Sequence, residues 1–140
     1  MLLSFQSVIC DTNCLLIAIS DRSRFHRVWQ AFTHGDYTLC VTNEIIEEYA
    51  EVISRNINER VAQTVIYLIM TLTNVKYIDP HFRFHLITAD PDDNKFVDCA
   101  IAANAKYIVT EDHHFDVLKE ISFPHIEVIS IEQFLSEITI

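Results

Sequence analysis

Hydrophobic residues along the chain follow two spacings, one typical of buried strands and one typical of helices. Short apolar runs predict five strands, at Ser7–Cys10 and at residues 37–41, 75–78, 107–110 and 127–129. Segments with helical spacing predict helices at residues 15–34, at 42–54, from 56 or 58 onward, and from 92 or 93 to 104. They also predict a short helix that follows the fourth strand and ends at about residue 119, and a last helix at 131–137. Alternating strands and helices predict an α/β fold, in which helices cover both faces of a parallel sheet. The length suits one domain over residues 1–140.

Acidic residues follow several of the predicted strands directly. Asp11 comes after the first strand, a glutamate-rich helix follows the second, and Glu111 and Asp112 follow the strand at 107–110. The working site of such a sheet lies beyond the carboxyl ends of its strands. We therefore expect these side chains to meet at one edge of the sheet.

One glutamate of the helix at 42–54 is predicted to face inward. At about 100° per residue, Glu48 borders the apolar face, whereas Glu44 and Glu51 lie in a solvent-exposed stripe. The apolar face consists of Ile45, Ile46, Tyr49, Val52 and Ile53. Glu48 is therefore the candidate site residue of this helix.

The helix after Pro91 offers two aspartates. Asp93 falls on its buried face, and Asp98 falls about 130° away by the same count, so Asp93 is the acid expected to point inward. A helix N-cap is the alternative role for Asp92 or Asp93, and equally for Asp11 and Asp112. That alternative stays open for each residue taken alone.

Clustered carboxylates imply a cation. Like charges packed at one sheet edge need a counter-ion, and hard oxygen ligands favour Mg²⁺ or Mn²⁺. Ions held in this way can activate water and cleave a phosphodiester bond. The sequence has no glycine-rich phosphate loop, no GxSxG motif and no zinc-like Cys or His spacing.

Composition and charge bear on which partners the protein can bind and in which cellular compartment it is found. Half of the residues are apolar, and ten basic against twenty acidic residues give a net charge of −10, which opposes nonspecific binding to a nucleic-acid backbone. The apolar run at residues 65–70, which no other run exceeds in length, is too short to span a membrane, and residues 1–4 do not resemble a signal peptide. The four cysteines form no CxxC pair. We therefore expect a cytoplasmic protein with reduced, mostly buried cysteines.

The segments that carry these acids resemble the PIN-domain family, specifically its bacterial and archaeal branch of toxins from toxin–antitoxin pairs. The matching segments are VICDTNCLL (8–16), TNEIIEEYAEV (42–52), DPDDNKFVDCAIAA (90–103) and AKYIVTED (105–112). Residues 129–135 resemble the family's last strand and helix. The resemblance covers nearly the whole chain.

This resemblance implies a function and a set of site residues. The four acids of the family fall on Asp11, Glu48, Asp93 and Asp112, as catalytic residues and metal ligands. The supporting positions are Asn13, Thr110, Asp98 and Glu111. The implied protein is an endoribonuclease with a sheet ordered 3-2-1-4-5, Mg²⁺ or Mn²⁺ as cofactor, single-stranded or loop RNA as substrate, an antitoxin partner and often a homodimer.

The sequence departs from the family at Glu111, where a glycine is usual. The extra acid either joins the metal site or forces a different turn. His113 and His114 follow it, and exposure at a helix start is their expected state rather than a role as metal ligands. The loop at 80–85 could stack bases through Phe82 and Phe84, or form a core or dimer contact.

Two non-enzymatic functions and one other enzyme class are alternatives to the nuclease. A receiver-like switch needs an acceptor Asp after its middle strand and a Lys near its last one. Val41 is followed by Thr42 instead, and no Lys follows Ile129. A catalytically silent PIN-like binding module is disfavoured, because all four acids are present. A dehalogenase-type phosphatase would need Asp-x-Asp after the first strand, where Asn13 stands.

Overall fold

A five-stranded, all-parallel sheet in the order β3-β2-β1-β4-β5 forms the centre of the protein. The structure is a computed structural model and describes residues 6–138, so the start at residues 1–4 lies outside the described part. The strands are β1 (Ser7–Cys10), β2 (Thr38–Val41), β3 (Val75–Tyr77), β4 (Tyr107–Val109) and β5 (Glu127–Ile129). The predicted fold class and strand order are confirmed.

Helices cover both faces of this sheet. Val8, Ile9 and Cys10 of β1 are consecutive and all buried, although successive side chains of a strand point to opposite faces. The α-helices are α1 (Thr12–Ile19), α2 (His26–Thr33), α3 (Asn43–Asn56), α4 (Glu59–Thr71), α5 (Asn94–Ala103) and α6 (Ile131–Ile138). Two 3-10 helices, Pro91–Asp93 and His113–Glu120, lie before α5 and after β4.

The single helix predicted over residues 15–34 is wrong, because the chain turns between α1 and α2. Serine side chains form hydrogen bonds in this turn: Ser23 Oγ accepts one from Phe25 N–H at 3.0 Å, and Ser20 Oγ accepts one from Arg22 N–H at 3.4 Å. Serine competes in this way with helical hydrogen bonding. Gly35 follows α2 with a positive φ of 82°, in agreement with its predicted role after the helix.

The described residues contain no helix that is long and apolar enough to cross a membrane. All four cysteines are buried and unpaired.

Candidate active site

Asp11 lies immediately beyond β1, at the carboxyl edge of the sheet. Its backbone N–H donates to the Val109 carbonyl at 3.0 Å, which continues the ladder between β1 and β4. The side chain is buried, and its Oδ2 accepts a hydrogen bond from Thr110 Oγ1 at 2.7 Å. Burial raises the pKa of Asp11, the Thr110 hydrogen bond opposes that shift, and the charges of Asp112 and Glu48 add to it.

Thr110 connects Asp11 to the next acid. Its Oγ1 also accepts a hydrogen bond from Asp112 N–H at 3.0 Å, so one hydroxyl fixes the residues at the ends of β1 and β4. Asp112 Oδ1 then accepts from His114 N–H at 2.8 Å, which begins the 3-10 helix that follows β4.

Asp93 approaches Asp112 from the other side, through His114. The Nδ1 atom of His114 lies 3.3 Å from Asp93 Oδ2 and 3.4 Å from Asp112 Oδ1. Burial raises the pKa of Asp93 to about 6, the negative charges of Asp112, Asp90 and Asp11 add to the shift, and the contact with His114 lowers it. Asp93 is therefore a carboxyl group surrounded by like charge.

Glu48 reaches the site from α3. Its Oε2 accepts a hydrogen bond from the Thr12 hydroxyl, at the start of α1. Its Oε1 forms an ion pair with Lys95 Nζ at 2.7 Å, and Lys95 is itself buried. Glu48 is 21% exposed at its side chain, against 54% for Glu44 and 73% for Glu51, as the helical spacing predicts.

These contacts bring the four predicted acids to one edge of the sheet. Asp11 interacts electrostatically with Asp112 and Glu48, and Asp93 does so with Asp112 and Asp11. The elements that carry them are the ends of β1 and β4, the helix α3 and the start of α5.

The acids differ in whether their side chains cap a helix. Asp11 and Asp93 precede α1 and α5, but neither side chain makes a capping hydrogen bond. Asp90 accepts from Asp92 N–H and caps the 3-10 helix Pro91–Asp93. Asp112 does cap the 3-10 helix that follows it, so there the cap and the approach to Asp93 coexist.

The other supporting positions have different surroundings. Asn13 is exposed on the first turn of α1, next to the Thr12 that contacts Glu48. Glu111 Oε2 accepts from Ile131 N–H at 2.8 Å, at the first residue of α6. The carboxylate that replaces the usual glycine therefore contacts a helix N-terminus, where negative charge is favoured.

The helical count misplaced Asp98, which is only 2% exposed. Asp98 Oδ1 accepts a hydrogen bond from Phe84 N–H at 3.1 Å. Asn94, also on α5, pairs with both backbone polar groups of Ile87. The segment between β3 and the 3-10 helix at Pro91 therefore covers a second side of α5. A single-face count cannot anticipate a helix that is covered on two sides.

Three residues at the site were not predicted from the sequence, namely Thr12, Asp90 and Lys95, and His114 was expected to lie on the surface. His114 is indeed 44% exposed, but its ring contacts Asp93 and Asp112. His113 is 94% exposed and pairs with Asp116, as expected for a surface histidine. The spacing of Asp92 and Lys95 was a local signal for an ion pair, but nothing in it indicated Glu48 as the second partner.

The residues present fit a divalent cation. Ligand atoms of Asp90, Asp93 and His114 lie within 4.8 Å of one another, and Asp93 also interacts electrostatically with Asp112 and Asp11. Oxygen-rich sets of this kind suit Mg²⁺ or Mn²⁺. A cation would also relieve the charge repulsion that adds to the effect of burial on the pKa of Asp93.

The raised pKa of Asp93 predicts a pH dependence of stability without metal. The folded protein holds this proton more tightly than the unfolded chain, whose value is near 3.8. The stabilising contribution is complete below about pH 4 and is lost as the pH rises through about 6. Urea unfolding in EDTA should show the wild type losing about 1 to 2 kcal/mol relative to Asp93→Asn between pH 4 and pH 7. Parallel pH profiles of the two proteins would contradict this assignment.

Because Glu48 pairs with the buried Lys95, we expect substitutions of different glutamates on α3 to have unequal effects on the free energy of unfolding. Glu48→Gln removes the charge partner of a buried ammonium, and we expect it to lower the free energy of unfolding by about 1 to 3 kcal/mol, since Asp92 remains as a partner. Glu51→Gln removes an exposed pair with Arg55 and should change it by under ~0.5 kcal/mol. Urea unfolding of both variants measures the difference, and equal effects would refute the buried pair.

Comparison with known proteins identifies the family of this α/β protein. Residues 7–114 match the PIN domain, and the chain belongs to the PIN-domain family, as the sequence motifs predicted. PIN domains are generally metal-dependent nucleases. No curated protein matches the sequence.

Solved structures share the fold at low identity. A chain in VapBC2 from Rickettsia felis bound to a DNA fragment from their promoter is 17% identical, with a TM-score of 0.60 over 89% of this chain and 98% of that chain. A chain in DNA-bound VapBC from Salmonella typhimurium is 14% identical, with a TM-score of 0.59 over 91% and 99%. The T. brucei RRP44 PIN domain is 12% identical, with a TM-score of 0.55 over 96% and 81%.

Proposed function

We propose that the protein is a metal-dependent endoribonuclease, which hydrolyses RNA phosphodiester bonds at the site formed by Asp11, Glu48, Asp93 and Asp112. The observation that carries the proposal is the convergence of these carboxylates at the carboxyl edge of the sheet. There, burial raises the pKa values of Asp11 and Asp93, and the charges of neighbouring acids add to both shifts. Membership of a family of nucleases supports it.

Each carboxylate has a defined part in the proposed site. Asp11, Asp93 and Asp112 would hold Mg²⁺ or Mn²⁺, and Glu48 would be the fourth carboxylate that lines the site. When bound by these carboxylates, such an ion would supply an activated water and positive charge to stabilise the leaving oxygen of the phosphodiester. Thr110 fixes Asp11 at 2.7 Å, so that this carboxylate keeps its orientation before the ion or the RNA arrives.

The net charge of −10 makes the cation important for binding as well as for chemistry. An RNA backbone is repelled by an acidic protein unless positive charge lies at the point of contact. We propose single-stranded or loop RNA as the substrate, because the PIN-like segments of the sequence imply it.

The test is cleavage of a labelled single-stranded RNA by the full chain in Mn²⁺ or Mg²⁺. We expect cleavage with metal, no cleavage in EDTA, and recovery when metal is restored. An identically purified Asp11→Asn protein controls for contaminating ribonuclease. Absence of cleavage across several RNA sequences, with metal bound, would favour the alternative of a catalytically silent binding module.

We further propose that the protein is the cytoplasmic toxin of a toxin–antitoxin pair and forms a homodimer. The two bacterial structures of similar fold described above are VapBC complexes, and the four free, buried cysteines suit a reducing compartment. Expression in a bacterial host should arrest growth, Asp11→Asn should not, and co-expression of the product of an adjacent gene should restore growth. Light scattering measures the oligomeric state of the purified chain.

A further inference from the structure

Lys95 is the buried cation of the acidic site. Its Nζ lies 2.7 Å from Glu48 Oε1 and 2.8 Å from Asp92 Oδ1, and it donates to the Asp92 carbonyl at 3.0 Å. An ammonium group has three N–H donors and no acceptor. These three acceptors use all of them, so Lys95 has no donor left for a phosphate of the substrate. Lys95 is therefore a positioning residue.

The acids divide into two groups around Asp11. Glu48 and Asp92 surround the ammonium of Lys95. On the other side, Asp93 and Asp112 meet at the His114 ring, and Asp90 lies beside Asp93. The first group already contains a full positive charge, whereas the second contains only an exposed imidazole.

A divalent ion bound to Glu48 Oε1 would lie close to this ammonium. With a metal–oxygen distance of 2.0–2.6 Å, the ion and Nζ could be no more than about 5 Å apart, since Nζ is 2.7 Å from the same oxygen. Paired metal ions in two-metal sites are separated by ~3.5–4 Å. A second ion of such a pair, if bound to Glu48 Oε1, would therefore lie within about 5 Å of a full positive charge, which would repel it.

We propose that Lys95 replaces the second metal ion of the site, so that each chain binds a single divalent ion, on the side of Asp11, Asp93 and Asp112. In this arrangement the ammonium holds Glu48 in position and neutralises it together with Asp92. The inference rests on the proposed metal-dependent function, and it deepens that function by setting the number of ions.

The test counts Mn²⁺ ions on the full-length protein by calorimetry and by electron paramagnetic resonance. The wild type should bind one Mn²⁺ per chain, with the spectrum of an isolated ion. Lys95→Met leaves Glu48 and Asp92 without their cation, and it should bind two Mn²⁺ ions with a spectrum broadened by spin coupling. Lys95→Arg keeps the charge and should bind one ion. Lys106→Met removes an exposed lysine and should also bind one.

The outcomes separate this inference from the proposed function. Two ions bound to the wild type would overturn the role of Lys95 and leave the metal-dependent site intact. No ion bound to the wild type would overturn both. A folded Lys95→Met protein that binds one ion would also overturn the inference. If Lys95→Met does not fold, Lys95→Gln replaces it, since its amide can still donate to Asp92. This variant should also bind two ions, and binding of one ion would contradict the role of Lys95.

Discussion

Replacing Asp11 by Asn should lower the rate of metal-dependent RNA cleavage by at least about 100-fold, because even supporting contacts of a metal ligand contribute 10–100-fold. Asp11 is buried beyond β1 and is held by Thr110 at 2.7 Å. Asn has nearly the same shape and can accept the same hydrogen bond, so the change removes the charge and preserves the packing. The rate of RNA cleavage, measured with saturating Mn²⁺, gives the effect directly.

The matched control is Glu51→Gln, which also converts an acid to its amide but on the exposed side of α3. It should cleave RNA at the wild-type rate. Both variants should give the circular dichroism spectrum of the wild type. An Asp11→Asn protein that cleaves within a factor of about three of the wild type would exclude Asp11 from the metal ligands.

Mn²⁺ should stabilise the wild type strongly, and Asp93→Asn should remove most of this effect. An ion that binds only the folded chain contributes about 2.7 kcal/mol at a concentration 100 times its dissociation constant. For a chain of this length that corresponds to a rise in melting temperature of roughly 10 °C. Asp93→Asn removes a proposed ligand and also relieves repulsion in the absence of metal, so its melting temperature should start higher and rise less.

Thermal unfolding of both proteins in EDTA and in Mn²⁺ measures these shifts. Glu44→Gln is the control, since its carboxylate is exposed and pairs with Arg83 at 3.6 Å. It should shift with Mn²⁺ as the wild type does. An equal shift in wild type and Asp93→Asn would mean that the ion binds elsewhere.

Residues next to strands and on one helix face were predictable from sequence. A parallel sheet aligns the carboxyl ends of its strands, so Asp11 and Asp112 could be expected at one edge. Glu48 could be separated from Glu44 and Glu51, because α3 buries a single face and the helical count applies.

Residues that depend on long-range packing were not predictable in this way. Lys95 pairs with a glutamate of a different helix, and its burial results from the elements that surround α5. Asp98 was misplaced because the segment that includes Phe84 covers a second side of the same helix. The helix predicted at 15–34 failed for a local reason, since Ser20 and Ser23 form turn hydrogen bonds in the middle of an otherwise helical pattern.

The most direct test of the proposed metal site is a crystal structure of the protein grown with Mn²⁺, with the ion located by anomalous scattering. The proposed site predicts a peak at 2.0–2.6 Å from carboxylate oxygens of Asp11, Asp93 and Asp112. It also predicts that Lys95 remains paired with Glu48. Crystals in which Mn²⁺ is bound elsewhere, with none of these three carboxylates as a ligand, would contradict the assignment of the active site.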